Sequence, residues 1–170
     1  MNFDRILIAG IGNIFFGDDA FGSEVAQRLL RRSQLEGVRV VDFGIRGLDL
    51  AYALLDPYEA VILVDAVPRG GQPGTLYVLE PEIPVAASPD VQIEPHGMDP
   101  VKVLRMAASL GGQLGRVLLV GCEPQPPADP EDMETEMCDA VRVAVDQAVS
   151  LVESLVVRLL HGESLHTTPI

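Results

Sequence analysis

One segment constrains this chain more than any other: AVILVDAV, residues 60 to 67, is apolar throughout except for Asp65. A short apolar run with no polar alternation suits a strand buried on both faces, and such strands belong to parallel sheets covered by helices on either side. The neighbouring segments repeat that demand. RILIAGI (5 to 11) is a second apolar run and stops at Gly10 and Gly12. VRVVDF (38 to 43) is β-branched and ends at Asp42 and Gly44, RVLLVGCE (116 to 123) forms the last strand, and TLYVLE (75 to 80) follows the GGQPG turn.

Helical periods alternate with these strands. From Asp19 to Gly37, Phe21, Val25 and Leu29 recur every four residues while Glu24, Gln27, Arg28 and Arg31 take the other face. Asp18 or Asp19 would cap that helix. A short helix is expected from Leu48 to Leu55, and Asp99-Pro100 supplies cap and first-turn chemistry for a helix to about Leu110. Met133, Met137, Val141, Val145, Ala148, Val152, Leu155 and Leu159 keep three- and four-residue spacing, which predicts one long helix from Glu131 to His161. The expected fold is α/β: a three-layer helix-sheet-helix domain around a twisted, mostly parallel sheet of five strands. TLYVLE arrives after a turn and not a helix, so it could pair antiparallel with its predecessor and make the sheet mixed.

With 170 residues the chain can bury one good core but not two. A single domain over 1–161 is expected, with a patternless, frayed tail at 162–170. The opening residues read as a first strand and not an export signal, and no apolar run approaches the roughly 18 residues of a membrane span. The protein is therefore expected to be cytoplasmic. Cys122 and Cys138 match no paired spacing, so a disulfide is not expected. A net charge of −13 repels phosphate backbones and anionic lipid, and favours cations or basic protein segments as partners.

Ligands of such sheets bind beyond the carboxyl ends of the strands. Asp19 follows the first strand, Asp65 ends the third, and His96 lies in the proline-broken loop 81–97, just before a helix. A carboxylate inside an apolar strand must find donors, a metal or a cleft, because burying it unpaired costs several kcal/mol, roughly. Two carboxylates and an imidazole make a site for nickel, zinc or a similar divalent ion. A dinucleotide is disfavoured: in GIGNIFFGDDAFG the third glycine of GxGxxG is replaced by Phe15, and two acidic residues stand where a pyrophosphate would bind. Cys122 lies at a strand end with no histidine nearby in sequence and is expected to be inert, as is Cys138. Glu123 is a candidate rim carboxylate.

GIGNIFFGDDAFG, VILVDAV, EPHGMDP and LLVGCEP, in that order over residues up to about 160, resemble the hydrogenase maturation endopeptidases. The resemblance implies a peptidase that removes a C-terminal extension from the large-subunit precursor of nickel-iron hydrogenase once nickel has been inserted. It implies that Asp19, Asp65 and His96 contact nickel, with Asp19 and Asp65 as the catalytic carboxylates, and that the metal is carried by the substrate. Other divalent cations can occupy such a site, and no nucleotide cofactor is implied. Where the family often has a glycine pair, this chain reads DFGIRGLDL, with Phe43 between Asp42 and Gly44. Asp42, Gly44 and Gly47 therefore become candidate substrate-binding residues that bear on precursor choice. A monomer is expected. The alternative is a nickel-sensing or precursor-binding chaperone of the same fold that does not hydrolyse.

Overall fold

The computed structural model describes residues 4–33, 35–83, 98–129, 131 and 134–169. Strands β1 (Ile6–Ile11), β2 (Val38–Gly44), β3 (Ala60–Ala66), β4 (Leu76–Glu80), β5 (Arg116–Cys122) and β6 (Thr168–Pro169) form one sheet in the order β2-β1-β3-β5-β4-β6. Helices α1 (Phe21–Leu30), α2 (Gly47–Ala53), α3 (Pro100–Ser109) and α4 (Asp139–Leu160) cover it, with a 3-10 turn at Gly17–Ala20 ahead of α1.

Side chains alternate across the strands, and that alternation builds two cores. Ile6, Ile8, Ile62, Val64 and Val120 point to one face, where Phe21, Val25 and Leu29 of α1 and the apolar stripe of α4 meet them. Leu7, Ala9, Val61, Leu63 and Leu119 point to the other, against Leu50 and Leu54 of the α2 segment and Val103 and Leu104 of α3. Phe21 is fully buried, and truncating it to Ala would cost about 3–5 kcal/mol.

The central four strands run parallel, as the apolar runs predict, and β4 makes the sheet mixed. Its partner differs from the expected one: β4 pairs antiparallel with β5, not with β3. β3 is already paired on both edges, by β1 and β5, so the chain after it must cross β5 to reach a free edge. The end of the chain also departs from a frayed tail. Thr168 and Pro169 pair with Leu79 and Glu80, and the Thr167 hydroxyl donates to Glu80 at 2.7 Å.

Two helix starts differ from the periodicity. The N-cap of α1 is Ala20, with no side-chain cap, and neither Asp18 nor Asp19 caps it. Helix α4 begins at Asp139 and not Glu131. Asp18 is the physical reason: its carboxylate accepts from the Cys138 N–H and the Gln125 N–H, both at 2.8 Å, and so fixes the segment before α4 against the 3-10 turn. Asp99 does cap α3, accepting from the Val101 N–H at 2.9 Å with Pro100 in the first turn.

Phe43, the residue inserted before Gly44, becomes a bulge. Gly10 pairs with Asp42 and Ile11 with Gly44, so Phe43 is skipped in the register and its ring is buried in the α2–α3 core.

Candidate active site

From β1 the chain leaves through α1 to β2 on one side, then returns through α2 to β3 on the other. The strand order therefore reverses between β1 and β3, and the crevice at their carboxyl ends is where such sheets bind ligands. Asp19 and Asp65 are the carboxylates placed there.

Their approach is set by backbone packing. A Cβ on Gly22 would stand 2.0 Å from the Val64 carbonyl oxygen and 2.1 Å from that of Ile11, and one on Gly12 would stand 2.1 Å from the Asp19 carbonyl oxygen. Glycine at both positions lets the start of α1 rest directly on β1 and β3, which draws Asp19 over the end of β3. The Asp19 carboxylate then accepts from the Asn13 N–H at 3.1 Å.

Asp65 is 7% exposed. Burial pushes its carboxyl well above the usual carboxylate range; the nearby Asp19 and Asp99 charges push the same way, and the Ala66 amide offsets part of the shift. Asp19 itself is exposed along the site, yet burial around its carboxyl raises its pKa, partly offset by the Asn13 amide. No cationic side chain among the described residues is a cause of either shift. Burial and the Asp19 charge both oppose ionisation of Asp65, and an arriving cation would relieve both. The pair can therefore act as an acid, as a base, or as two oxygen ligands to a divalent ion. No set of three or more His, Cys, Asp or Glu among the described residues forms a metal cluster. The third expected ligand, His96, lies outside the described residues.

A groove of about 670 Å³ opens beside Asp19, between the loops that follow β1, β3 and β5; Asp65 does not line it. Phe16, Asp19, Ala66, Pro68, Glu123 and Pro126 are among its walls. Its volume falls in the size range of ordinary ligand sites.

The other sequence candidates sort by their partners. Asp42 accepts from the Ser23 hydroxyl at 2.8 Å, the Gln27 amide at 2.9 Å and the Gly44 N–H at 3.0 Å, so its carboxylate braces β2 against α1. Gly44 has φ +56° and its carbonyl accepts from the Gly12 N–H at 3.0 Å; Gly47 starts α2 and is buried. Glu123, 3% exposed, accepts from the Arg69 N–H at 2.9 Å, the Gly70 N–H at 3.0 Å and the Tyr77 hydroxyl at 2.7 Å. The Tyr77 hydroxyl foremost, with the loop amides, holds its carboxyl below the usual range. It organises the β3–β4 loop as well as lining the groove. Burial foremost pushes the Cys122 thiol up to about 12, so it is protonated at neutral pH and cannot serve as a thiolate nucleophile.

One contributor escaped the sequence reading. Asp99 was legible as a helix cap, but its electrostatic reach to Asp65 follows only from the fold, which sets α3 beside β3.

The hydrogenase maturation protease family model matches residues 23–155. A hydrogenase expression/formation protein of Rhodobacter capsulatus is 31% identical over 148 residues, covering 86% of this chain and 69% of that protein. A putative hydrogenase maturation protease of Methanocaldococcus jannaschii is 30% identical over 148 residues, covering 86% and 93%. Among solved structures, the hydrogenase maturating endopeptidase HybD of Escherichia coli has the same fold, with a TM-score of 0.69 at 24% identity over 89% of this chain and 91% of that one.

Proposed function

The chain belongs to the hydrogenase maturation protease family and is a peptide-bond hydrolase of that kind; within that frame, we propose that it reads nickel already seated in its substrate through Asp19, Asp65 and His96. The substrate in this reading is the large-subunit precursor of a nickel-iron hydrogenase, and the product is that subunit shortened at its C-terminus. The observation that carries the reading is the buried Asp65 carboxyl, opposed by the Asp19 charge and given no cation by the described residues.

A divalent ion presented by the precursor supplies the missing counter-charge and draws both carboxyls into their ionised form. Recognition then places the scissile peptide against the groove wall next to Asp19. A carboxylate oxygen of the pair takes the proton from attacking water as general base and returns it to the departing amine. In this reading the endopeptidase is of aspartic type and nickel is a feature of the substrate. No helix among the described residues is long and apolar enough to cross a membrane; in this reading the enzyme is a cytoplasmic monomer.

Incubation with nickel-loaded and nickel-free precursor tests the proposal by intact mass. Only the loaded precursor should be shortened, and His96→Ala should lose that processing while keeping its thermal midpoint. Equal processing of both precursor forms would remove nickel from the recognition step. Retained binding with unchanged precursor mass would leave a chaperone in place of a peptidase.

A further inference from the structure

The groove beside Asp19 is lined by four consecutive residues after β5, Pro124, Gln125, Pro126 and Pro127, and by Glu134 ahead of α4. Proline has no N–H, so Gln125 holds the one backbone donor in that four-residue wall. The donor goes to the Asp18 carboxylate at 2.8 Å. Among the described residues this is the one hydrogen bond that joins 124–127 to the rest of the chain. The wall starts from a fixed point, because the Glu123 N–H donates to the Thr75 carbonyl and the Glu123 carbonyl accepts from the Gly74 N–H, both at 2.8 Å. Beyond Glu123 it depends on Asp18.

Asp18 holds the other lining segment as well. Its second carboxylate oxygen accepts from the Cys138 N–H at 2.8 Å. Gly17 lies against the same segment, since a Cβ there would stand 3.0 Å from the Glu136 carbonyl oxygen and 3.1 Å from that of Glu134. Each oxygen of one half-buried carboxylate thus serves a different segment, and both segments meet on the Gly17–Ala20 turn that also carries Asp19. The turn is fixed in its own right: the Asp19 N–H donates to the Phe16 carbonyl at 2.9 Å, and the Asp19 carboxylate accepts from the Asn13 N–H at 3.1 Å. Two neighbouring acids therefore divide the work, one facing the reaction and one holding the walls around it.

We propose that Asp18 is a positioning residue for peptide cleavage: by holding the Gln125 wall and the Cys138 segment on the turn that carries Asp19, it sets how far the scissile peptide lies from the Asp19 carboxylate. Both its oxygens are taken by N–H groups, so it acts through the walls and not on the reacting bond. A misplacement of about 1 Å at such a distance is enough to cost roughly 10²-fold in rate. The role rests on the peptidase reading above.

Two substitutions cut the same bond from opposite sides. Gln125→Pro deletes the donated N–H without changing charge, and Asp18→Ala removes both acceptors. The full-length variants and the double variant are compared with wild type on nickel-loaded precursor, with kcat and KM measured separately and folding followed by the thermal midpoint. Gln125→Pro should lower kcat about tenfold and Asp18→Ala up to roughly 10²-fold, with KM close to that of wild type, because nickel recognition does not pass through the wall. The double variant should be no slower than Asp18→Ala, which already lacks the shared bond. Wild-type kcat in both folded variants, with only the thermal midpoint lowered, overturns the role and leaves Asp18 a structural staple. A change in KM alone overturns it in favour of substrate binding, and losses that multiply in the double variant overturn it because the two residues then act independently. Should Asp18→Ala not fold, the kcat of Gln125→Pro decides by itself. A wild-type protein that leaves the loaded precursor intact overturns the peptidase reading and this role with it, a result distinct from equal turnover by wild type and variants, which overturns the role alone.

Discussion

Asp65 and Glu123 are both buried carboxylates at the same edge of the sheet, one at the end of β3 and one just beyond β5, yet the fold treats them in opposite ways. Glu123 is surrounded by donors: two loop amides and the Tyr77 hydroxyl, with the Arg69 guanidinium 5.5 Å from the Tyr77 ring centre. Asp65 receives the Ala66 amide and two repelling carboxylates. The first carboxylate is complete within the protein and its role is to shape a loop. The second receives no positive charge from the described residues. Burial alone therefore does not separate a structural acid from a functional one; the balance of donors and charges around it does.

Four measurements would break or sharpen that contrast. The largest effect is expected from Asp65→Asn, which should lower precursor processing roughly 10²–10⁴-fold and at the same time raise the thermal midpoint of the free protein, since it removes a carboxyl that burial and Asp19 oppose. Loss of both activity and stability would place Asp65 with Glu123, among the structural acids. Glu123→Gln comes next: it should lower the thermal midpoint by disarming the β3–β4 loop while processing is retained in part. An inactive variant of normal stability would make Glu123 part of the reacting site.

The pH dependence of unfolding gives a smaller signal with opposite signs at the two positions. Asp65 and Asp19 bind protons more tightly in the folded chain, so their contribution is fullest below the ordinary carboxylate range, about pH 4, and is lost as pH rises through their raised values. Glu123 contributes above that range, and its contribution is lost as pH falls through its lowered value. Unfolding curves for Asp65→Asn should accordingly fall less than those of wild type between acidic and neutral pH, and those of Glu123→Gln should fall less on acidification. Identical profiles for the two variants would erase the distinction. Smallest is Tyr77→Phe, which removes one of the donors to Glu123; a slightly lower midpoint and unaltered kcat are expected in thermal and kinetic assays.

The contrast also marks how far the sequence could be read. Asp65 was legible because a lone carboxylate interrupts an apolar run, and the layered α/β fold followed from the alternation of that run's neighbours with helical periods. Glu123 looked equally suggestive at its own strand end, and nothing local foretold that Arg69, Gly70 and Tyr77 would close around it, because those donors sit some 50 residues away in sequence. The same limit explains the start of α4. Periodicity runs back to Met133, but the stop is imposed by Asp18 from the far end of the chain. The pairing of β4 with β5 was hidden for a related reason: turn length says that a strand can fold back, not which edge is free. The insertion of Phe43 was visible as a departure in the motif, whereas its outcome, a bulge with a buried ring, depended on the α2–α3 core having room for it.

Gly12 and Gly22 give the site a further property. Because the Asp19 turn meets β1 and β3 through main-chain atoms, its seat on the sheet is set by backbone and not by a side chain that could be traded for a larger or smaller one. Substitutions elsewhere can repack both cores or reshape the groove, and that seat will stay as it is. Substitution in such a protein is therefore tolerated more readily in the groove walls and the two cores than at the glycines that seat Asp19.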